Sequence, residues 1–262
     1  MSDRRHRQKE QRAAKREAER KRESRRELVR RLFTALIFGV VVISIFAVGG
    51  FFGSGESDVP GTYEDYRTQE TACGAEQPPP EQVMSFDVPE AQTDVTASND
   101  VSATVATSCG DFVIDLNTDG APETVNSFVF LAREGFYDGQ VIHRISENFV
   151  FQAGDPSADG TGGPGYVVAD EPPEEGFVYE EGVVAMANQG SRSTGSQFFV
   201  VTGPDGQFLT SQFNVLGRVA SGEDTIDRIM AIPTATAPGS REESRPLETP
   251  YIESITIDVA DS

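Results

Sequence analysis

"FYDGQVIHRISENFVFQAGD", Phe136 to Asp155, is the stretch on which the reading of the fold turns. It holds two short apolar runs, "VIHRI" and "FVFQAGD", of strand rather than helix length. Within them stand the polar residues His143, Arg144 and Gln152. An arginine among apolar neighbours in a short strand is costly to bury unpaired, so it faces a carboxylate, the solvent or a groove that uses it. The residues alone leave all three open.

The flanking sequence supplies the setting. Upstream, "VSATVATS" and "DFVIDLNTD" alternate apolar and polar residues around a Cys-Gly turn, the pattern of a β-hairpin. "APETVNSFVFLAREG" then spaces Val125, Phe128, Val129 and Ala132 as one face of a helix, with Pro122 near its start and Gly135 as its stop. Downstream come the short strands "GVVAMAN", "SQFFVVT" and "NVLGRVA", a brief helix at "GEDTIDRIM", and a last strand at "IESITIDVA". Many short strands with two helices favour a closed or nearly closed antiparallel β-architecture with helices over its open ends, because closure removes exposed edges. This domain is expected over residues 101–262.

The first hundred residues have another character. Residues 1–31 carry fourteen Lys or Arg and six Asp or Glu, a net +8, whereas the other 231 carry eight Arg, no Lys and thirty-six acidic groups, a net -28. Two parts so opposed in charge are expected to meet different environments. Between them "LFTALIFGVVVISIFAVGGFF", residues 32–52, has no charge. As a helix it would cross a hydrocarbon core of about 30 Å, so it reads as a single transmembrane signal-anchor. The preceding basic excess predicts a cytoplasmic N-terminus and everything after the span outside the cell membrane. The basic tail has a topological role and suits anionic lipid, and nothing in it points to nucleic acid. Residues 53–100, with "GSGESDVPG" and "GAEQPPPEQ", read as an acidic spacer rich in Pro and Gly with little to bury. Cys73 and Cys109 both fall outside, where disulfides persist, and a bridge between them would tie the spacer to the first strands.

Familiar catalytic sets fail one by one. "GTGGPG", residues 160–165, fits G-x-G-x-x-G but leads into no helix, which removes the dinucleotide reading. "DPSADG" begins like a calcium loop, yet Tyr166 stands where a bidentate glutamate is required. With His143 the one histidine beyond the span, no zinc set exists, and no nucleophile elbow is present. No metal and no cofactor is expected. The abundant carboxylates read as a solvated, self-repelling surface that makes folding salt-dependent.

"FYDGQVIHRISENFVFQAGD" followed by "GTGG", then "VVAMANQGSRSTGSQFFV" and "FLTSQFNVLGRV", resembles the cyclophilin family of peptidyl-prolyl cis-trans isomerases in a membrane-anchored, extracytoplasmic bacterial form. The resemblance covers residues 101–260 and implies an eight-stranded antiparallel barrel capped by two helices. It places Arg144 at the family's catalytic arginine, with His143 beside it. Phe149, Val150, Phe199 and Leu209 match a pocket for the substrate proline ring. Gln152 and Gln197 match polar groups of the groove, and Ala187 and Asn188 the segment that binds substrate backbone. Three positions depart: Ile142 stands for the usual phenylalanine, Phe208 for a frequent tryptophan, and Phe213 for a histidine or tyrosine.

The implied activity is faster rotation about X-Pro bonds in unfolded or exported proteins. The peptide C–N bond is partly double, and uncatalysed X-Pro isomerisation takes tens to hundreds of seconds. An arginine hydrogen bond to the prolyl nitrogen favours the twisted bond over the planar one. The alternative is a membrane-tethered peptide-binding or chaperone module with little turnover.

Overall fold

The computed structural model describes residues 59–261. The basic tail, the expected span over 32–52 and the start of the spacer lie outside the described residues, among which no helix is long and apolar enough to cross a membrane.

Eight antiparallel strands form one sheet. They are β1 (Asn99–Thr107), β2 (Gly110–Leu116), β3 (Arg144–Ser146), β4 (Val150–Ala153), β5 (Val183–Met186), β6 (Phe198–Val201), β7 (Val215–Ser221) and β10 (Ile252–Asp261). Their spatial order is β10-β1-β2-β7-β5-β6-β4-β3. The remaining strands, β8 (Thr234–Thr236) and β9 (Glu243–Pro246), make a separate hairpin that leans on β3. The sequence did not show this hairpin, because its residues "TAT" and "ESRP" lack an apolar alternation.

The sheet curls, but its edges do not zip together as the expected closed barrel would. The segment entering β3 meets the segment entering β10 at one isolated bridge, Val141 to Tyr251. Ile142 N–H donates to the Pro250 carbonyl and Ile252 N–H to the Gln140 carbonyl, both at 2.8 Å. Pro250 has no N–H of its own, so the ladder cannot run further along that side.

Alternation along each strand separates two apolar layers. Phe112, Ile114, Phe151, Ala153, Val184, Met186, Phe198 and Val200 point into the main core. Helix α2 (Pro122–Arg133) covers it with the predicted face of Val125, Phe128, Val129 and Ala132 and packs against β10. The residue at its N-cap is Ala121, which offers no side-chain acceptor, and Glu171 from a distant loop supplies one. The Glu171 carboxylate accepts from Glu123 N–H at 3.0 Å and Thr124 N–H at 2.8 Å, where anionic charge also suits the helix dipole. Helix α3 (Glu223–Met230) packs against β2 and β3.

The largest difference from expectation is the spacer. Over its described part it is a strap folded onto the domain. Helix α1 (Tyr63–Thr68) starts with a capping box formed by Thr62 and Asp65, and it buries Tyr63 and Tyr66. The Tyr63 hydroxyl reaches the Gly139 carbonyl at 2.8 Å. Thr249, fully buried, donates to the Tyr66 carbonyl and accepts from Gln69 Nε2. The Cys73–Cys109 disulfide staples the strap, just after helix α1, to the β1–β2 turn across 36 residues of sequence. Composition concealed the docking because scattered residues, Tyr63, Tyr66, Ala72, Phe86 and the cystine, rather than a run of apolar residues, carry it.

Candidate active site

Strand register brings several of the candidate residues together. Arg144 of β3 pairs with Gln152 of β4, Gln152 with Phe199 of β6, and Phe199 with Ala185 of β5. Directly paired residues share a face, so these four lie in one row on the side of the sheet away from the core. One step along, Ser146, Val150 and Val201 make a second row. Gly154, with φ of 85°, lets the chain turn away at the end of β4, two residues after Gln152, and a Cβ there would run into the Ser196 carbonyl.

A polar relay runs along the row. Arg144 Nη1 donates to Gln152 Oε1 at 3.2 Å, Gln152 Nε2 to Gln197 Oε1 at 2.8 Å, and Gln197 Nε2 to the Gly162 carbonyl at 2.9 Å. The "GTGG" loop therefore anchors a chain of side chains that ends at the guanidinium. The Arg144 guanidinium carbon also stands 5.4 Å from the centroid of the Phe149 ring, within cation-π range.

Apolar residues adjoin the relay. The Phe199 and Phe213 rings meet edge to face at 5.4 Å, and Phe213 meets Tyr179 in the same way at 6.1 Å. The Tyr179 hydroxyl donates to the Phe213 carbonyl at 2.7 Å, which steadies that wall from behind. Val150 is buried beside them, and Leu209 caps a 3-10 turn over Pro204–Phe208. Phe208 itself is 69% exposed at the rim. Ala187 N–H donates to the Gln197 carbonyl at 2.8 Å. Asn188 Nδ2 holds the Gln212 carbonyl at 3.0 Å, so its side chain ties two loops together.

Two expected site residues point elsewhere. Ile142, expected in the groove wall, is 1% exposed and belongs to the main core. His143, expected in the groove beside Arg144, is 3% exposed, and its Nδ1 has no hydrogen-bond partner among the described residues. Burial pushes its pKa down to about 4, which leaves the imidazole neutral near pH 7.

One residue of the site was not anticipated. Glu242, at the entrance to β9, forms a bidentate pair with Arg144, Nε to Oε2 at 3.0 Å and Nη2 to Oε1 at 2.5 Å. Of the choices left open by the sequence, Arg144 therefore takes a carboxylate while keeping one edge toward the outer face. "GSREESRP" carries no local signal for this, since an acidic turn 98 residues away reads as solvated surface. The arrangement presents a fixed guanidinium over an aromatic ring, beside an apolar wall, and includes no nucleophile.

The comparisons with known proteins bear on the family and the fold. The family described as cyclophilin type peptidyl-prolyl cis-trans isomerase/CLD matches residues 102–257. Peptidyl-prolyl cis-trans isomerase B of Streptomyces anulatus is 39% identical over 174 residues, spanning 60% of this chain and 95% of that one. A probable peptidyl-prolyl cis-trans isomerase B of Mycobacterium tuberculosis is 37% identical over 173 residues, spanning 60% of this chain and 54% of that one. A Cryptosporidium parvum cyclophilin solved in the presence of the dipeptide Ala-Pro superposes with a TM-score of 0.54 at 24% identity, covering 60% of this chain and 98% of that one, a likeness of fold. The family match over more than half the sequence and the curled eight-stranded sheet converge: this chain belongs to the cyclophilin family of peptidyl-prolyl cis-trans isomerases.

Proposed function

We propose that this protein accelerates cis-trans rotation about X-Pro bonds in exported proteins, from a domain anchored outside the membrane by residues 32–52. The observation that carries the reading is the row Arg144, Gln152, Phe199. An apolar wall next to a held guanidinium suits a proline ring whose preceding amide is to be twisted. In this reading Val150, Phe199, Leu209 and Phe213 receive the ring, and Phe149 and Phe208 line its approaches. Gln152 and Gln197 hold the arginine and face the substrate backbone, and the main chain at Ala187 and Asn188 keeps the flanking peptide still.

Arg144 is the catalytic residue of the proposal. As the C–N bond twists, conjugation is lost and the prolyl nitrogen becomes a better acceptor, so a guanidinium N–H strengthens its bond mainly in the transition state. The relay fixes the donor beforehand, so little reorganisation is needed when the bond rotates. No proton moves to or from the protein, which fits a buried neutral His143.

The Cys73–Cys109 bridge supports the extracytoplasmic placement, because such bonds persist in oxidising compartments. The tail over residues 1–31 then lies at the cytoplasmic face against anionic lipid. A peptide-binding module with little turnover is the second reading, favoured by the ion pair that occupies part of Arg144.

The deciding experiment compares the full chain, purified in mild detergent, with Arg144→Ala. The isomerase reading expects kcat on an X-Pro peptide to fall on the order of a hundredfold while peptide binding is partly kept. Equal losses of binding and turnover would overturn Arg144 as the catalytic group. A folded wild type that does not speed isomerisation would leave the binding module.

A further inference from the structure

We propose that Glu242 is a positioning residue for Arg144: a clamp, delivered by the β8–β9 hairpin, that orients the guanidinium for the reacting amide. The inference rests on the reading of Arg144 given above. It concerns a residue outside the groove-lining strands, on an element that the eight-stranded sheet does not require.

The clamp is built rather than incidental. An exposed carboxylate that met an arginine by chance would hold it with one oxygen and be held by nothing else. Glu242 instead takes Arg144 with both oxygens, along the Nε and Nη2 edge. Ser244 donates to Glu242 Oε2 at 3.2 Å from β9, and the Ser146 side chain bonds to the same carboxylate from β3. The Ser240 hydroxyl accepts from Glu242 N–H at 3.0 Å and fixes the backbone of the turn. Burial disfavours the charged carboxylate, but the Arg144 charge and these hydrogen bonds outweigh it and hold the pKa below the usual glutamate value.

The hairpin is itself anchored. Arg245, three residues on, donates to the Ala158 carbonyl at 3.0 Å and to the Tyr66 hydroxyl at 3.2 Å. The clamp therefore hangs from both the strap and the loop after β4.

Geometry separates orientation from blockade. Arg144 carries five N–H groups. Glu242 uses Nε–H and one on Nη2, and Gln152 uses one on Nη1. One N–H on each terminal nitrogen remains. Gln152 from one side and Glu242 from the other leave the guanidinium no freedom to rotate about its long stem, with the Phe149 ring nearby. A bidentate carboxylate matches the planar fork as no single acceptor can. The Arg144 side chain is 17% exposed and that of Glu242 is 37% exposed, so water reaches the pair from the Glu242 side.

The test measures kcat and KM on an X-Pro peptide for the full chain, Glu242→Ala, Glu242→Gln, Arg144→Ala and the Arg144→Ala/Glu242→Ala double variant, with an unfolding midpoint for each. Glu242→Ala is expected to lower kcat about tenfold with little change in KM. Glu242→Gln, which keeps the shape and one acceptor oxygen, should recover part of that loss. The double variant should match Arg144→Ala alone, because a residue that acts only through Arg144 has nothing left to orient. An unchanged or raised kcat in both Glu242 variants overturns the clamp, as does a further loss in the double variant. If Arg144→Ala alone keeps wild-type kcat, the reading of Arg144 fails first and the clamp with it. If Glu242→Ala does not fold, the Glu242→Gln comparison decides.

Discussion

The Tyr66 hydroxyl donates to the carbonyl of His143 at 2.9 Å, joining strap and sheet across 77 residues of sequence, one residue before Arg144. Tyr66 is fully buried, and its oxygen also accepts from Arg245. The strap is thus connected to both neighbours of the site, the strand that carries Arg144 and the hairpin that carries Glu242. Tyr66→Phe removes the donor and leaves the His143 carbonyl and the Arg245 donor short of a partner. It is expected to lower stability by about 1–3 kcal/mol and to reduce turnover, measured by urea unfolding and peptide isomerisation. Wild-type values in both would show that the strap only covers the domain.

The disulfide gives the strap a second attachment. In the chain-entropy account a closed loop of the Cys73–Cys109 length stabilises by about 4 kcal/mol. Cys73→Ser/Cys109→Ser, and wild type held in dithiothreitol, should therefore unfold at the same lowered midpoint. A reductant effect that persists in the double serine variant would place its cause elsewhere.

His143 sets a dependence on pH. Its folded pKa is lowered from 6.5 to about 4, so between these values the unfolded chain binds a proton that the folded chain refuses. Stability then rises with pH through this window and is lost as pH falls from 6.5 towards 4, by roughly 3 kcal/mol in all. The check is the urea midpoint from pH 7 to 4 for wild type and His143→Gln. The variant should lack the slope between pH 6.5 and 5, above the range in which carboxylates contribute. Parallel curves would remove His143 as its source.

Residues 32–262 carry a net charge of -28 with no lysine, and salt screens repulsion among exposed like charges. The unfolding midpoint is expected to rise between about 0.05 and 1 M sodium chloride. A flat response would mean that repulsion among these carboxylates does not limit the stability of the fold.

The sequence by itself determined the family, the main strands and the first long helix of the domain. β1 and β2 alternate clearly, α2 shows its face at helical spacing, and "HRISENFVFQAGD" with "GSQFFV" puts an arginine, two glutamines and a phenylalanine in short apolar runs of strand length. These features are local: strand period, helix period and motif order depend on residues a few positions apart. Two cysteines beyond the span made a Cys73–Cys109 bridge possible without requiring it, and the fold brings them together.

Only the tertiary structure decided which polar and apolar residues of that stretch face the site. Ile142 and His143 turn inward because the curl of the sheet, not the strand period alone, sets their surroundings. The partner of Arg144 lies 98 residues away and the donor to His143 lies 77 residues away, on segments whose composition reads as solvent-facing. A carboxylate in an acidic turn carries the same local signal whether it meets water or a guanidinium. What distinguishes the two is the packing that brings β9 against β3, and packing is a property of the whole chain.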